Sequence, residues 1–223
     1  MRVFSIEDAL HRMLSTLIGE VTPELRAVAI DLDQNKKVLQ IHFYYDGETS
    51  KKQIDTWNYL IMEGSSFLRI QYRLESQIEQ LNYPMPIPFH PYFAYLKKED
   101  SGILHKNNLS CKVQIKTGFI RPALLATQNA LLGIVAPELR AVVVDFDEKK
   151  SFLYLRFYHD KDIPQNLLDL WQTAMKTIKK DFAPDYLLDG KVERVDYPGT
   201  FPFRGRYAYF RKELPLESHS LET

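Results

Sequence analysis

The chain has 223 residues, 45% of them hydrophobic and 26% charged, the make-up of an ordinary soluble globular protein. Its 29 basic and 29 acidic residues cancel; the first hundred residues carry 11 basic and 14 acidic groups, and residues 119–223 carry 15 of each. Bulk charge therefore offers no footprint for a polyanion, and no apolar run approaches the roughly 18 residues of a membrane span. A reducing, cytoplasmic location in a bacterium is the expectation.

Slid against itself by 114 residues, Ser5–Glu99 aligns with Phe119–Glu213 without a gap, and about a third of the positions are identical. Pro23–Val28 and Pro137–Val142 both read Pro-Glu-Leu-Arg-Ala-Val, and an acidic pair follows each, Asp31/Asp33 and Asp145/Asp147. A repeat of this length is a duplicated domain, too long for a solenoid unit, whose periods run to about 50 residues. The divisions expected are a first unit (1–100), a linker (101–118), a second unit (119–213) and a disordered tail (214–223).

Each unit opens with an amphipathic helix. Ile6, Leu10, Met13, Leu14, Leu17 and Ile18 recur at helical spacing, with Ser5 as N-cap, and Gly19 and Pro23 stop it. In the second copy Ile120, Leu124, Leu131 and Leu132 repeat the pattern, with Pro122 in the first turn. Leu25–Asp33 then alternates as a half-buried strand, Gln34–Lys37 turns the chain, and Val38–Asp46 returns. A tight hairpin sets Ala27 opposite Tyr44, Ala29 opposite His42 and Asp31 opposite Gln40. The second copy sets Ala141, Val143 and Asp145 opposite Tyr158, Arg156 and Tyr154.

Helical spacing returns over Ser50–Phe67, with Trp57, and Trp171 in the second copy, at core positions. Tyr72–Tyr83 and Tyr92–Lys97 read as third and fourth strands joined by a proline-rich loop. The fold class is α+β: two homologous α-β-β-α-β-β units, each an antiparallel four-stranded sheet with helices on one face.

Residues that carry chemistry give little. The carboxylate pairs end strands just before turns, where aspartate serves turn geometry. The six histidines match no partner across the repeat and have no ligand spacing; His42 and His159 read as surface residues. The single cysteine, Cys111, excludes a multi-cysteine metal site. No Gly-x-Ser-x-Gly and no phosphate loop is present. The expectation is a protein without enzymatic activity and without a cofactor.

The sheet face away from the helices is the candidate binding surface: Tyr44, Phe93 and Tyr95 in the first copy, and Tyr154, Arg156, Tyr158, Tyr207 and Tyr209 in the second. Tyr, Phe and Arg beside small residues match the composition of interface hot spots. Such a face binds another protein, or serves self-association by packing repeat on repeat or chain on chain. A second reading is an enzyme or small-molecule binder with a site between the repeats that uses Asp31, Asp145 and the tyrosines. A third is single-stranded nucleic-acid binding through Arg204, Arg206 and Tyr207, for which the balanced charge gives little support.

The run Thr22–Val28, then Phe43–Glu48, then Tyr83-Pro84 and Tyr95–Glu99, resembles a group of small, mostly uncharacterised bacterial proteins one repeat long. Some of these are similar to immunity proteins of bacterial toxin systems. The second copy departs at Tyr158–Asp162, which replaces Tyr-Tyr-Asp-Gly-Glu. The resemblance implies a toxin-neutralising protein partner and names no active site.

Overall fold

In the computed structural model, residues 5–66, 72–99, 120–147, 149–182, 184–203 and 205–213 are described, without the side chains of 120–122. The expected linker and tail, with Cys111 and Arg204, lie outside them. The element order is α1 (Ile6–Leu17), β1 (Leu25–Asp33), β2 (Val38–Tyr45), α2 (Lys51–Ser65), β3 (Arg73–Gln80) and β4 (Phe93–Leu96), repeated as α3 (Ile120–Leu131), β5 (Leu139–Asp147), β6 (Phe152–His159), α4 (Gln165–Lys180), β7 (Leu187–Arg194) and β8 (Arg206–Phe210). Ser5 caps α1 in a full capping box with Asp8, and Ser50 caps α2 through the Gln53 amide. No helix among the described residues is long and apolar enough to cross a membrane.

Each unit is one four-stranded sheet, ordered β3-β2-β1-β4 and β7-β6-β5-β8. The hairpin registers are those expected, Ala27 to Tyr44 and Asp31 to Gln40, Ala141 to Tyr158 and Asp145 to Tyr154. Asp33 closes the first turn by accepting from the amides of Asn35 and Lys36, and Asp147 does the same for Lys149 and Lys150. These backbone donors, with Lys36 first, hold the Asp33 carboxyl below its ordinary range.

The sheets are mixed, not antiparallel throughout. β2 pairs β3 in parallel, and β6 pairs β7 likewise. Helix α2 or α4 carries the chain back to the start of the preceding strand, and a helical crossover of that kind returns a parallel neighbour. β3 is the outer strand and carries Arg73, Glu75, Gln77 and Glu79, polar groups that guard an exposed edge.

One apolar core runs through both units. Leu10, Met13, Trp57 and Ile61 of the first helices meet Val28, Ile41 and Phe43 of the first sheet, and the cluster continues through Tyr95 and Tyr209 into Leu139, Leu155 and Trp171. Both tryptophans are fully buried, and Trp171 donates its indole N–H to the Ile134 carbonyl at 3.1 Å.

The junction is reciprocal. The Gly19 amide donates to the Phe210 carbonyl at 2.9 Å and Lys212 donates to Val21 at 3.0 Å; Gly133 donates to Leu96 at 3.0 Å and Lys98 to Val135 at 3.0 Å. The end of each fourth strand thus zips onto the helix-to-strand turn of the other unit. Gly19 and Gly133 hold φ of 79° and 73°, left-handed values that glycine adopts freely, and this aims both amides across the junction.

Candidate partner-binding site

The arginine of the duplicated motif organises the sheet face opposite the helices. Arg26 is 1% exposed, and its Nε and Nη2 donate to the two oxygens of Glu99 at 2.5 and 2.7 Å. Its remaining donors reach the carbonyls of Leu81 at 2.5 Å and Met85 at 2.9 Å, so one guanidinium fastens the β3–β4 loop to the end of the repeat. Arg140 repeats this with Glu213 and the carbonyls of Val195 and Gly199. The planar fork satisfies a carboxylate and two carbonyls together, which lysine cannot do. Glu24 lies just before β1, two residues from Arg26, yet Arg26 pairs with Glu99.

The clasped loops lie over the sheet. Strands β1 and β5 are consequently buried on both faces for six residues, where alternation implied one. In the second unit the cover is aromatic: Phe201 stacks on Tyr158 with centroids 4.7 Å apart, and Phe203 lies 4.9 Å from the Arg156 guanidinium and 5.8 Å from the Tyr154 ring. Arg156 is itself pinned to Asp189, donating to its carboxylate at 2.8 Å and its carbonyl at 2.5 Å.

The first unit fills the same place differently. His42 stands where Arg156 stands, and His90 comes down from the loop to bridge Asp31 at 2.9 Å and the Tyr44 hydroxyl at 2.8 Å. The His42 and His90 rings are 4.7 Å apart. Burial, then the neighbouring His90, pushes the His42 imidazole below its ordinary value, and burial raises the Tyr44 phenol to about 12. Among the described residues no guanidinium lies beneath Phe89, the counterpart of Phe203. Phe89 is 82% exposed, beside Met85 at 58% and Tyr83 at 47% on the same loop.

The structure therefore redistributes the residues expected on an open face. Tyr44, Phe93, Tyr158 and Arg156 are buried beneath the loops, while Tyr154 and Tyr207 are half-buried. Tyr95 and Tyr209 turn to the other face and join the core at the junction. A bulge causes this: Val28 pairs Tyr95 but Ala29 pairs Phe93, and Val142 pairs Tyr209 but Val143 pairs Tyr207, so Ala94 and Ala208 are the extra residues. Leu96 and Phe210 move to the loop side in exchange. The units thus meet through their fourth-strand ends, not through two stacked aromatic faces. His159 is also buried, its ring 5.9 Å from that of Trp171, and is no surface residue. Arg206 is exposed beside Tyr207, whereas Arg204 falls outside the described residues.

A cleft of about 870 Å³ opens between the repeats, lined by Pro23, Glu24, Pro137, Tyr197, Arg211 and Lys212 among others. Asp31 and Asp145 do not line it. Two of its carboxylates are neutralised in place: Asp160 by Arg211 and Arg140, and Glu213 by Arg140.

The exposed Tyr83, Met85 and Phe89 sit in the proline-rich loop, which local pattern marks only as a connection between strands. The available signal was the His42/Arg156 difference between otherwise similar copies, which removes the seat for the loop's phenylalanine. No curated protein matches the chain at a significant level. A protein-family model described as MafI2 immunity protein matches it twice, over residues 7–99 and 121–213. These two segments take in nearly all of both structural units, and the chain belongs to the MafI2 immunity protein family as a tandem duplication.

Proposed function

We propose that the protein is a non-enzymatic, cytoplasmic bacterial antitoxin that neutralises a toxin by binding it directly. The observation that carries this reading is the exposed Tyr83–Met85–Phe89 group, held on a loop whose base is clasped by buried Arg26. Large apolar side chains on a rigid, anchored loop bind with little ordering cost, and tyrosine is enriched among interface hot spots. The sheet residues named from sequence support the loop from below: Tyr44 through His90, and Phe93 through its contact with the same ring at 5.8 Å. Family membership supplies the class of partner, a toxin protein. The balanced charge argues against a strongly basic nuclease cleft as the target, because inhibitors of such clefts are acidic.

The test is protection. Co-expression of this chain with a toxin protein co-purified with it from its native host restores growth of a sensitive host, and the F89A/M85S double variant, expressed to the same level, does not. Equal protection by the double variant removes the loop from the account; no protection by either protein removes the toxin.

A second reading is favoured by the junction cleft, whose volume suits a small ligand. Its paired carboxylates suit binding and not acid–base chemistry. A ligand seated there raises the melting temperature of the wild type, and blocking the cleft mouth with Thr49→Trp abolishes that rise.

A further inference from the structure

We propose that Asp31, His42 and His90 form a binding site for a divalent transition metal, zinc by its donor set, that fastens the β3–β4 loop of the first repeat to its sheet. One donor atom from each residue lies within 4.8 Å of the other two. Two imidazoles and a carboxylate are a donor set that zinc accepts, with a fourth position left for water or a partner's side chain. Zinc-to-ligand distances of about 2.0–2.2 Å place tetrahedral donors about 3.3 Å apart, so the side chains need only close by about 1.5 Å.

Each donor is brought by a different part of the fold. Asp31 is on β1, and His42 is on β2 opposite Ala29, diagonal to Asp31 on one sheet face. His90 arrives from the loop and is 9% exposed. Two donor atoms are buried without a hydrogen-bond partner among the described residues, His42 Nδ1 and Asp31 Oδ1. Buried polar atoms left without a partner are costly unless something occupies the place beside them. His90 Nδ1, now 2.9 Å from Asp31 Oδ2, becomes the third ligand, leaving its Nε2–H to donate to the Tyr44 hydroxyl 2.8 Å away. That is the outer-shell bond that orients a metal-bound imidazole. The Asp31 side chain is 25% exposed, which gives the ion an entry path.

The second repeat supplies the internal comparison. It keeps the aspartate as Asp145 but aligns Arg156 with His42 and Arg204 with His90. There a guanidinium, pinned to Asp189, seats the loop through Phe203. The first repeat offers two imidazole donors at those positions, and a bound cation takes the place of the built-in one. Because His90 follows Phe89 directly, the metal also fixes the residue read above as a partner contact; this consequence rests on that reading, whereas the metal site does not.

The full chain, stripped with chelator and titrated with Co²⁺ and with Zn²⁺, tests the site. One equivalent of Co²⁺ gives the visible absorption of a four- or five-coordinate nitrogen–oxygen complex, Zn²⁺ displaces it, and Zn²⁺ raises the melting temperature. His42→Arg, which installs the residue that the second repeat carries at this place, keeps the fold and weakens binding by at least about 100-fold, the upper end of what losing even an outer-shell partner costs. Asp31→Asn gives a comparable loss, and Cys111→Ser gives none. The proposal is overturned if the wild type takes up no stoichiometric metal, if H42R binds as tightly as wild type, or if C111S abolishes binding.

Discussion

Arg26 and Glu99 stand 73 residues apart and meet through two parallel hydrogen bonds of 2.5 and 2.7 Å, at the place where the first repeat closes on itself. Arg140 and Glu213 meet across the same separation in the second. Glu99 is 16% exposed and Arg26 1%, so neither charge has water to fall back on if the other is removed. The pair ties the first strand, the β3–β4 loop and the chain end into one unit, and everything the loop presents depends on it.

Arg26→Ala leaves Glu99 and two carbonyls without their donor. The expected cost is about 3–5 kcal/mol, the range for breaking one side of a buried pair. Arg26→Lys recovers only part of it, because an ammonium cannot serve the carboxylate bidentately and reach both carbonyls. Urea denaturation of the two variants measures this, and Arg140→Ala behaves alike in the second repeat.

Gly19 and Gly133 donate across the junction from left-handed backbone. Gly19→Ala and Gly133→Ala each cost about 1–2 kcal/mol through that conformation alone. The two sites lie in separate, reciprocal contacts, so the double variant shows the sum, read from the denaturant midpoint.

Burial pushes the phenols of Tyr95 and Tyr209 above their ordinary value, and each lies in the shared core. The unfolded chain, with tyrosine near pKa 10, then releases protons that the folded chain keeps. Stability is therefore full below pH 10 and falls as pH rises beyond it, by about 1.4 kcal/mol per pH unit for each tyrosine. Tyr95→Phe/Tyr209→Phe flattens the alkaline limb of stability against pH, as urea titrations from pH 8 to 11 measure.

The two repeats use the same loop phenylalanine for different ends. Phe203→Ala removes an aromatic packed on Tyr154 and Arg156 and is expected to cost about 1–3 kcal/mol. Phe89→Ala removes a side chain that is 82% exposed and leaves stability within about 0.5 kcal/mol of wild type. Melting of the two single variants separates a structural phenylalanine from a free one.

Much of this architecture is legible in the sequence, for physical reasons. Alternation over Leu25–Asp33 and Val38–Tyr45 around a four-residue polar turn fixes the hairpin register, because slipping by one residue would turn every helix-facing side chain to the opposite face. Local patterns do not carry the parallel pairing of β3, which follows from the helical crossover before it. They also miss the bulges at Ala94 and Ala208, one extra residue each, which send Tyr95 and Tyr209 to the opposite face. Nor do they carry the clasp: arginine and glutamate recur 73 residues apart in both copies, a separation that no local pattern spans. The histidine pair has no local signal, because its members are 48 positions apart and only the folded loop brings them together.

The central claim is that the clasped loop of the first repeat binds a toxin protein. Its most direct measurement is the affinity of the purified chain for a toxin protein co-purified with it from its native host, by calorimetry, for wild type and for F89A/M85S. The account predicts a one-to-one complex with the wild type and at least about a 10-fold weaker one with the double variant, a loss of about 1.4 kcal/mol, at unchanged melting temperature. Equal affinity for both proteins, or no complex with the wild type, would contradict it.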